Sequence, residues 1–342
     1  MATCRLHLPH EKLETLKRAN TFPKEDQITF DEATHTYTVN GIILPLSVTG
    51  LVHQFSSGFD ARAVIAQMQA RDSWEQRQHE FLRGDGALMS SQEIAERWEA
   101  KGLVQRSRGT LLHYHIELHL NGATIEEPHS PEFQQFLEIE RSVLPQFKIY
   151  RTELCMFHCG LGIAGQADCL CLDDDGDVVI FDWKRSKGIR TDSRQQMLPP
   201  LQHLPDCNYF QYALQLNLYR YILESEYAMR VSRMILGVMH PLRPAPLCME
   251  LPRMDDEIAA IVAHEGGQRG SGPGAASNGD LTAGRRRGIG PVAEGGEGNT
   301  PRSIYRARAK LAPHGQGSHS ERRSARSEEE ARDADADQEA LR

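Results

Sequence analysis

The chain has 342 residues, with 39 Lys and Arg against 47 Asp and Glu and a formal net charge of −8. That balance excludes a globally basic nucleic-acid coat but leaves room for a local basic groove. No apolar run approaches the roughly 20 residues that cross a bilayer, so no membrane span is expected. The seven cysteines are odd in number, have no framework spacing and follow no secretory leader, a pattern expected of free thiols in a reducing, intracellular compartment.

The first residues mix Lys12, Lys17 and Arg18 with Glu11 and Glu14. Those acids disfavour a mitochondrial presequence, and nucleus, cytoplasm and organelle all stay open. Residues 1–27 are read as an N-terminal extension of a domain spanning 28–263. Thr36–Val39, then Asn40-Gly41, then Ile42-Ile43-Leu44 predict a hairpin with a type I′ turn. Ser47 and Thr49 can each cap a following helix that contains Leu51, Val52 and Phe55. Ser90-Ser91-Gln92-Glu93 is a capping-box pattern ahead of Ile94, Ala95 and Trp98. Gly102 is expected to end that helix, and a second is expected from near Gly109 through Leu111, Leu112, His113, Ile116 and Leu120.

The hydrophobic period then changes. Ile163 to Leu172 and Val178 to Lys184 read as strands joined by Asp173-Asp174-Asp175-Gly176-Asp177. A calcium loop would place an acid five residues before its glycine; here that residue is Cys171, so the segment is read as a polar hairpin turn. Helical spacing returns from Asn208 to Glu226, and Ser232 to Met239 reads as another strand. This order predicts an α/β sandwich.

From Glu265 onward there are 78 residues with 14 of the 28 glycines and a single aromatic, Tyr305. Their net charge of +1 leaves −9 on residues 1–264. Such a segment buries too little apolar surface to offset its ordering entropy, so residues 264–342 are expected to be a disordered tail. Its Arg285-Arg286-Arg287 run is expected to be solvated charge.

Strand alternation locates the chemistry. Asp182 and Lys184 project from one side of their strand, with Phe181 and Trp183 on the other. Gln166 and Asp168 share a face of the preceding strand, opposite Ala167, Cys169 and Cys171. If the strands pair across the acidic turn, Asp168 and Asp182 converge with Lys184 beside them. Two carboxylates on a mostly apolar sheet are costly unless a cation satisfies them. Mg²⁺ suits so small a set because it keeps most of its waters, and the Trp183 carbonyl is a further candidate ligand. Such an ion activates water and polarises a phosphoryl oxygen, while Lys184 orients or deprotonates the water and offsets developing charge. The same triplet, taken alone, also describes an exposed Asp–Lys ion pair on a hairpin.

Gly165-Gln166-Ala167-Asp168, a 13-residue gap, then Asp182-Trp183-Lys184 resembles the core of the PD-(D/E)XK nuclease superfamily. The closer similarity is to its RecB-like and lambda-exonuclease-like branch, which includes mitochondrial genome maintenance exonuclease and viral and phage relatives. Arg108-Gly109-Thr110-Leu111-Leu112-His113 with Glu117 is similar to that branch's G-T-x-x-H-x-x-x-E helix. Gln215-Leu216-Asn217-Leu218-Tyr219 is similar to its Q-x-x-x-Y helix. The resemblance covers residues 28–262. It implies a restriction-endonuclease-like sandwich, with a central mixed sheet flanked by helices and a helical N-terminal elaboration.

As metal ligands the resemblance implies His113, Asp168, Asp182 and Trp183, with Asp168, Asp182 and Lys184 catalytic. Gln215 and Tyr219 would lie beside the DNA strand. Glu117, one turn after His113, is expected to hydrogen-bond it and fix its tautomer. Glu153 is a candidate to assist a second metal. Arg108, Arg185, Lys187 and Arg190 are expected to touch phosphates. Ala167 stands where the family name has proline, and Arg185 where many members have Thr or Ser.

The activity implied is Mg²⁺-dependent hydrolysis of DNA, with Mn²⁺ able to substitute, by an exonuclease acting on single strands or duplex ends. A nucleic-acid-binding module that does not cut and a structure-selective endonuclease are the alternatives. Some relatives hold an iron–sulfur cluster on cysteines that flank the core. Here Cys155, Cys159, Cys169 and Cys171 fall inside it and only Cys207 and Cys248 follow, so no such cluster is expected.

Overall fold

The computed structural model describes residues 13–125 and 130–270. Most of the expected tail, with its Arg285–Arg287 run, and residues 1–12 lie outside the described residues.

A short helix, α1 (Thr15–Ala19), precedes an antiparallel sheet of β1 (Ile28–Asp31), β2 (Thr36–Val39) and β3 (Ile42–Ile43). Asn40 (φ 49°) and Gly41 (φ 81°) both adopt left-handed backbone, as the type I′ turn between β2 and β3 requires. Residues ahead of β1 pack against the strands that follow. Phe22 is buried in the main core, Arg151 is paired with Glu25, and the Asn20 side-chain amide donates to the Tyr150 carbonyl at 2.9 Å.

Next come β4 (Leu46–Ser47) and α2 (Val48–Gln54), whose first turn is capped by the Ser47 hydroxyl accepting from the Gly50 N–H at 2.9 Å. Then α3 (Ala61–Gln69), α4 (Trp74–Arg77) and the start of α5 (Ser91–Leu120) enclose a satellite core of Ile65, Met68, Trp74, Phe81, Ile94 and Trp98. The Ser90 capping box forms as expected. The break expected at Gly102 does not: α5 is one helix of 30 residues, about 45 Å long. A glycine inside a helix costs only about 1 kcal/mol. Both ends of α5 are anchored, Ile94 and Trp98 in the satellite core and Leu112 and Ile116 against the main sheet, so the helix runs through.

The remaining elements are α6 (Pro131–Ser142), β5 (Lys148–His158), β6 (Ile163–Leu172), β7 (Val178–Arg185), α7 (Asn208–Glu226), β8 (Val231–Met239), β9 (Leu247–Glu250) and α8 (Asp255–Gly270). They complete a mixed six-stranded sheet of order β4-β6-β7-β8-β9, with β5 also pairing β6. The β4–β6 and β7–β8 pairs are parallel and the others antiparallel. Helix α7 covers one face over Ile180, Leu236 and Val238. Helix α6 and the end of α5 cover the other over Cys169, Cys171, Val179, Phe181 and Trp183. The chain is thus an α/β protein with a central mixed sheet flanked by helices. Ala167, expected beside Cys169, instead joins the α7-side core. Helix α8 continues past the boundary expected at 263, and Glu265 is still buried. No helix among the described residues is long and apolar enough to cross a membrane.

The acidic turn is held by its own side chains. Asp173 Oδ1 accepts the N–H groups of Asp175 and Asp177 at 3.1 and 2.9 Å, and its Oδ2 accepts the Ser232 hydroxyl at 2.6 Å.

Along its full length β5 occupies one edge of β6. On the other edge β4 takes Ile163 and Ala164, and β7 takes Cys169 to Leu172. Residues 165–168 therefore face a gap between two strands, and that gap opens beneath α7.

Candidate active site

Alternation along β7 sends Asp182 and Lys184 toward α7 and the gap, while Phe181 and Trp183 go to the opposite core. The β6–β7 ladder stops at the Cys169–Phe181 pair. One step further, the Trp183 N–H donates to Asp168 Oδ2 at 2.7 Å, so a carboxylate replaces a main-chain acceptor. Extended backbone places the N–H and C=O of one residue on the same edge, which turns the Trp183 carbonyl toward β6 as well. Its indole lies over Gly237 of β8, where an added Cβ would sit 2.6 Å from the ring.

His113, from the last turns of α5, reaches the same point. Its Nδ1 is 3.6 Å from Asp168 Oδ2 and 3.9 Å from Glu153 Oε1. One ligand atom each from His113, Glu153 and Asp168 lie within 4.8 Å of one another. Asp182 is 1% exposed; its Oδ2 is 2.7 Å from Lys184 Nζ yet has no hydrogen-bond partner of good geometry. Burial pushes the Asp182 carboxyl up to about 6, with Asp168 adding and Lys184 opposing. Burial likewise raises Glu153, helped by Asp168, Glu117 and Asp182. For Lys184 burial acts against the charge, but Asp182 and then Asp168 outweigh it, and its pKa rises.

Two carboxylates beside one imidazole, with the buried Asp182 next to them, repel one another, and the Lys184 ammonium offsets that only in part, so a further cation among them would be stabilising. Oxygen donors with one nitrogen suit a hard or borderline divalent ion. The residues present fit Mg²⁺ or Mn²⁺, and His113, Asp168, Asp182 and Glu153 are the side chains that would hold it.

Helix α7 closes the gap. Gln215 Nε2 donates to the Tyr219 hydroxyl at 3.1 Å and approaches Asp182 Oδ1 at 3.5 Å. Tyr212, three residues before Gln215 on the same face, puts its ring 5.1 Å from Lys184 Nζ; helical spacing from Gln215 was the signal for it. Tyr37 of β2 is also near the acids: burial raises its phenol, with Cys155, Glu153 and Asp168 adding, and nothing in the local sequence marks it. Gly165 explains itself here: a Cβ on it would lie 2.5 Å from Tyr219 Cε1 and 3.0 Å from Val48. Gly165→Ala is expected to push Tyr219 off β6 and destabilise the fold by about 1–3 kcal/mol, read from the shift of a urea unfolding midpoint at unchanged slope.

The structure therefore gathers His113, Asp168, Asp182, Lys184, Gln215 and Tyr219, and adds Glu153. Two expectations fail. Arg185 lies on the Trp183 side of β7, buried, its Nε 2.6 Å from Glu132 and its guanidinium also bonded to Gln105. It is not placed to touch a phosphate in the gap, since alternation turns it away from Asp182 and Lys184. Glu117 makes no hydrogen bond to His113, whose Nδ1 faces Asp168 and Glu153 instead. Its own carboxyl is pushed up to about 7 by burial and the nearby Glu32. Of the other expected phosphate contacts, Arg108 and Lys187 are exposed and Arg190 is half-buried.

No protein-family model and no curated protein matches the chain. The crystal structure of SSO0001 is similar at 18% identity and a TM-score of 0.23, the match covering 40% of this chain and 56% of that one. A protein of Eubacterium rectale provisionally named an exonuclease is similar at 9% identity and a TM-score of 0.26, covering 64% of this chain and 68% of that one. Likenesses this loose carry no argument about chemistry.

Proposed function

We propose that the chain is a divalent-metal-dependent deoxyribonuclease of the PD-(D/E)XK kind, acting as an exonuclease on single strands or duplex ends. The observation that carries this reading is the convergence of His113 from a helix, Asp168 and Asp182 from neighbouring strands, and Lys184 at one interruption of a sheet. The Gln215–Tyr219 pair over Asp182 agrees with the motif order along the chain.

Bound Mg²⁺ or Mn²⁺ supplies Lewis acidity toward a phosphoryl oxygen. Asp168 is oriented for its part by the Trp183 N–H, and Asp182 by Gln215 and Lys184. The Lys184 ammonium offsets negative charge that builds on the phosphoryl group, in a site where few waters compete. Gln215 and Tyr219 wall the gap on the α7 side and orient a strand entering it. DNA affinity would come from scattered exposed cations such as Arg108 and Lys187 on an otherwise acidic body, so it should fall steeply with salt.

The test places end-labelled linear DNA and closed circular DNA side by side with the purified chain and Mg²⁺. Linear DNA is expected to be degraded and the circle spared, with EDTA stopping the reaction. Cleavage of the circle would make the chain an endonuclease. Binding without product across several metals would replace the reading with a binding module.

A further inference from the structure

We infer, on the reading of the gap as a nuclease site, that Arg106 of α5 holds a backbone phosphate of the bound strand, about three nucleotides from the bond presented to the acids. Arg106 is half-buried and its Nε is enclosed, yet that nitrogen has no hydrogen-bond partner. Among the described residues no acid pairs with Arg106 either. The buried Arg151, Arg185 and Arg220, by contrast, are each paired with an acid. A guanidinium presents five donors in a rigid fork, and taking part of it out of water without a partner is unfavourable. Methionine would fill the same place at less cost, so the DNA-free fold gains nothing from this charge.

Helix geometry gives the cation its direction. Seven residues make nearly two full turns, so Arg106 lies on the same side of α5 as His113, which reaches to 3.6 Å from Asp168 Oδ2. Along the axis the two are about 10 Å apart. Next to Arg106, the Gln105 side chain accepts a hydrogen bond from Arg185 at the end of β7. That bond fixes the rotation of α5 and sets Arg106 level with the end of β7, just past Lys184. Arg108 is turned about 160° away, toward the side of His115, whose ring packs 6.0 Å from Phe133 of α6. Charge agrees with this placement. In a chain of net charge −8, no acid stands between Glu99 and Glu117, whereas Lys101, Arg106 and Arg108 do. A phosphodiester matches the arginine fork in shape and charge. One strand of a duplex carries a phosphate every ~3.4 Å of axis, so a strand with one phosphate at the acids passes Arg106 about three phosphates further along.

The test uses the full chain and a fluorescently labelled single strand, with binding followed by anisotropy in EDTA over a range of salt. Arg106→Gln is expected to weaken binding by about tenfold and to flatten the slope of log affinity against log salt by about 0.7. Arg106→Lys should recover the slope but only part of the affinity, because the fork is lost. Arg141→Gln, at an exposed position on α6, should change neither. Parent affinity and slope in Arg106→Gln would overturn the inference, and an equal loss in Arg141→Gln would reduce Arg106 to general charge. An Arg106→Gln protein with the parent's slope and a lower melting temperature would assign Arg106 a structural role. Single-turnover cleavage in Mg²⁺ then locates the contact, on strands with one neutral methylphosphonate placed at successive linkages from the cut. One linkage about three from the cut is expected to slow the parent by about tenfold and to add nothing in Arg106→Gln. Equal sensitivity at that linkage in both proteins would give the contact to another residue. A parent that binds the strand but cuts it in neither Mg²⁺ nor Mn²⁺ would overturn the nuclease reading while the salt slopes still decide Arg106. A parent that binds no DNA would overturn both.

Discussion

Asp182→Asn should lower DNA cleavage by on the order of 10³-fold or more. Asp182 is the group on which the site's separate parts meet. Its Oδ1 faces Gln215 on α7, its Oδ2 lies 2.7 Å from Lys184, and its side chain is 1% exposed. Burial raises the carboxyl to about 6 even with Lys184 opposing, so a further cation beside it would relieve part of the burial cost of its charge. Asparagine keeps the shape and removes the charge. Lys184 retains Asp168 as a counter-charge, so the variant is expected to stay folded at 25 °C, as a circular-dichroism melt would show. Initial rates on an end-labelled strand, with Mg²⁺ and Mn²⁺ titrated in turn, give the measurement. Activity within tenfold of the parent in either metal would refute the assigned role.

What was legible in the sequence follows rules that act over a few residues. Asn40-Gly41 demanded left-handed backbone at two successive positions and so named its turn. Period-two alternation put Asp182 and Lys184 on one face and Phe181 and Trp183 on the other. Carried one residue further, the same rule sends Arg185 to the far side, and the expectation of a phosphate contact there overlooked it. Gly102 looked like a helix stop because glycine is locally unfavourable, but tertiary anchors at Trp98 and Leu112 outweigh about 1 kcal/mol of propensity. The i,i+4 spacing of His113 and Glu117 permitted a hydrogen bond, yet His113 turns to Asp168 and Glu153, brought in from strands 40 and 55 positions away. Left-handed backbone at a glutamate, as at Glu153 (φ 45°), has no local signature. Glu153 was visible as an acid near the site, but the hydrogen bond from Gln166 to its carbonyl was not. Tyr37 likewise reaches the acids only because the N-terminal sheet folds against β5.

The second large effect is expected from Lys184→Met, which should reduce cleavage by about 10²–10³-fold with little change in affinity for DNA. Methionine keeps an apolar stem against the Tyr212 ring, which lies 5.1 Å from the ammonium in the parent, so packing in the gap is largely preserved. The positive charge nearest Asp182 is lost. On the proposed reading phosphate affinity would depend on several scattered cations, whereas charge developing on a phosphoryl group held at the acids would have Lys184 as its nearest ammonium. The loss should therefore fall on kcat and leave KM within a few-fold. Mn²⁺ binding should be unchanged or tighter, because the ammonium 2.7 Å from Asp182 Oδ2 competes with a metal for that oxygen. Single-turnover cleavage of an end-labelled strand, paired with calorimetric Mn²⁺ titration, separates the two roles. Cleavage within about threefold of the parent would remove Lys184 from the chemistry. A parallel drop in Mn²⁺ affinity would instead mean that the ammonium serves to hold Asp182 in place, and that the charge offset at phosphorus comes from elsewhere in the site.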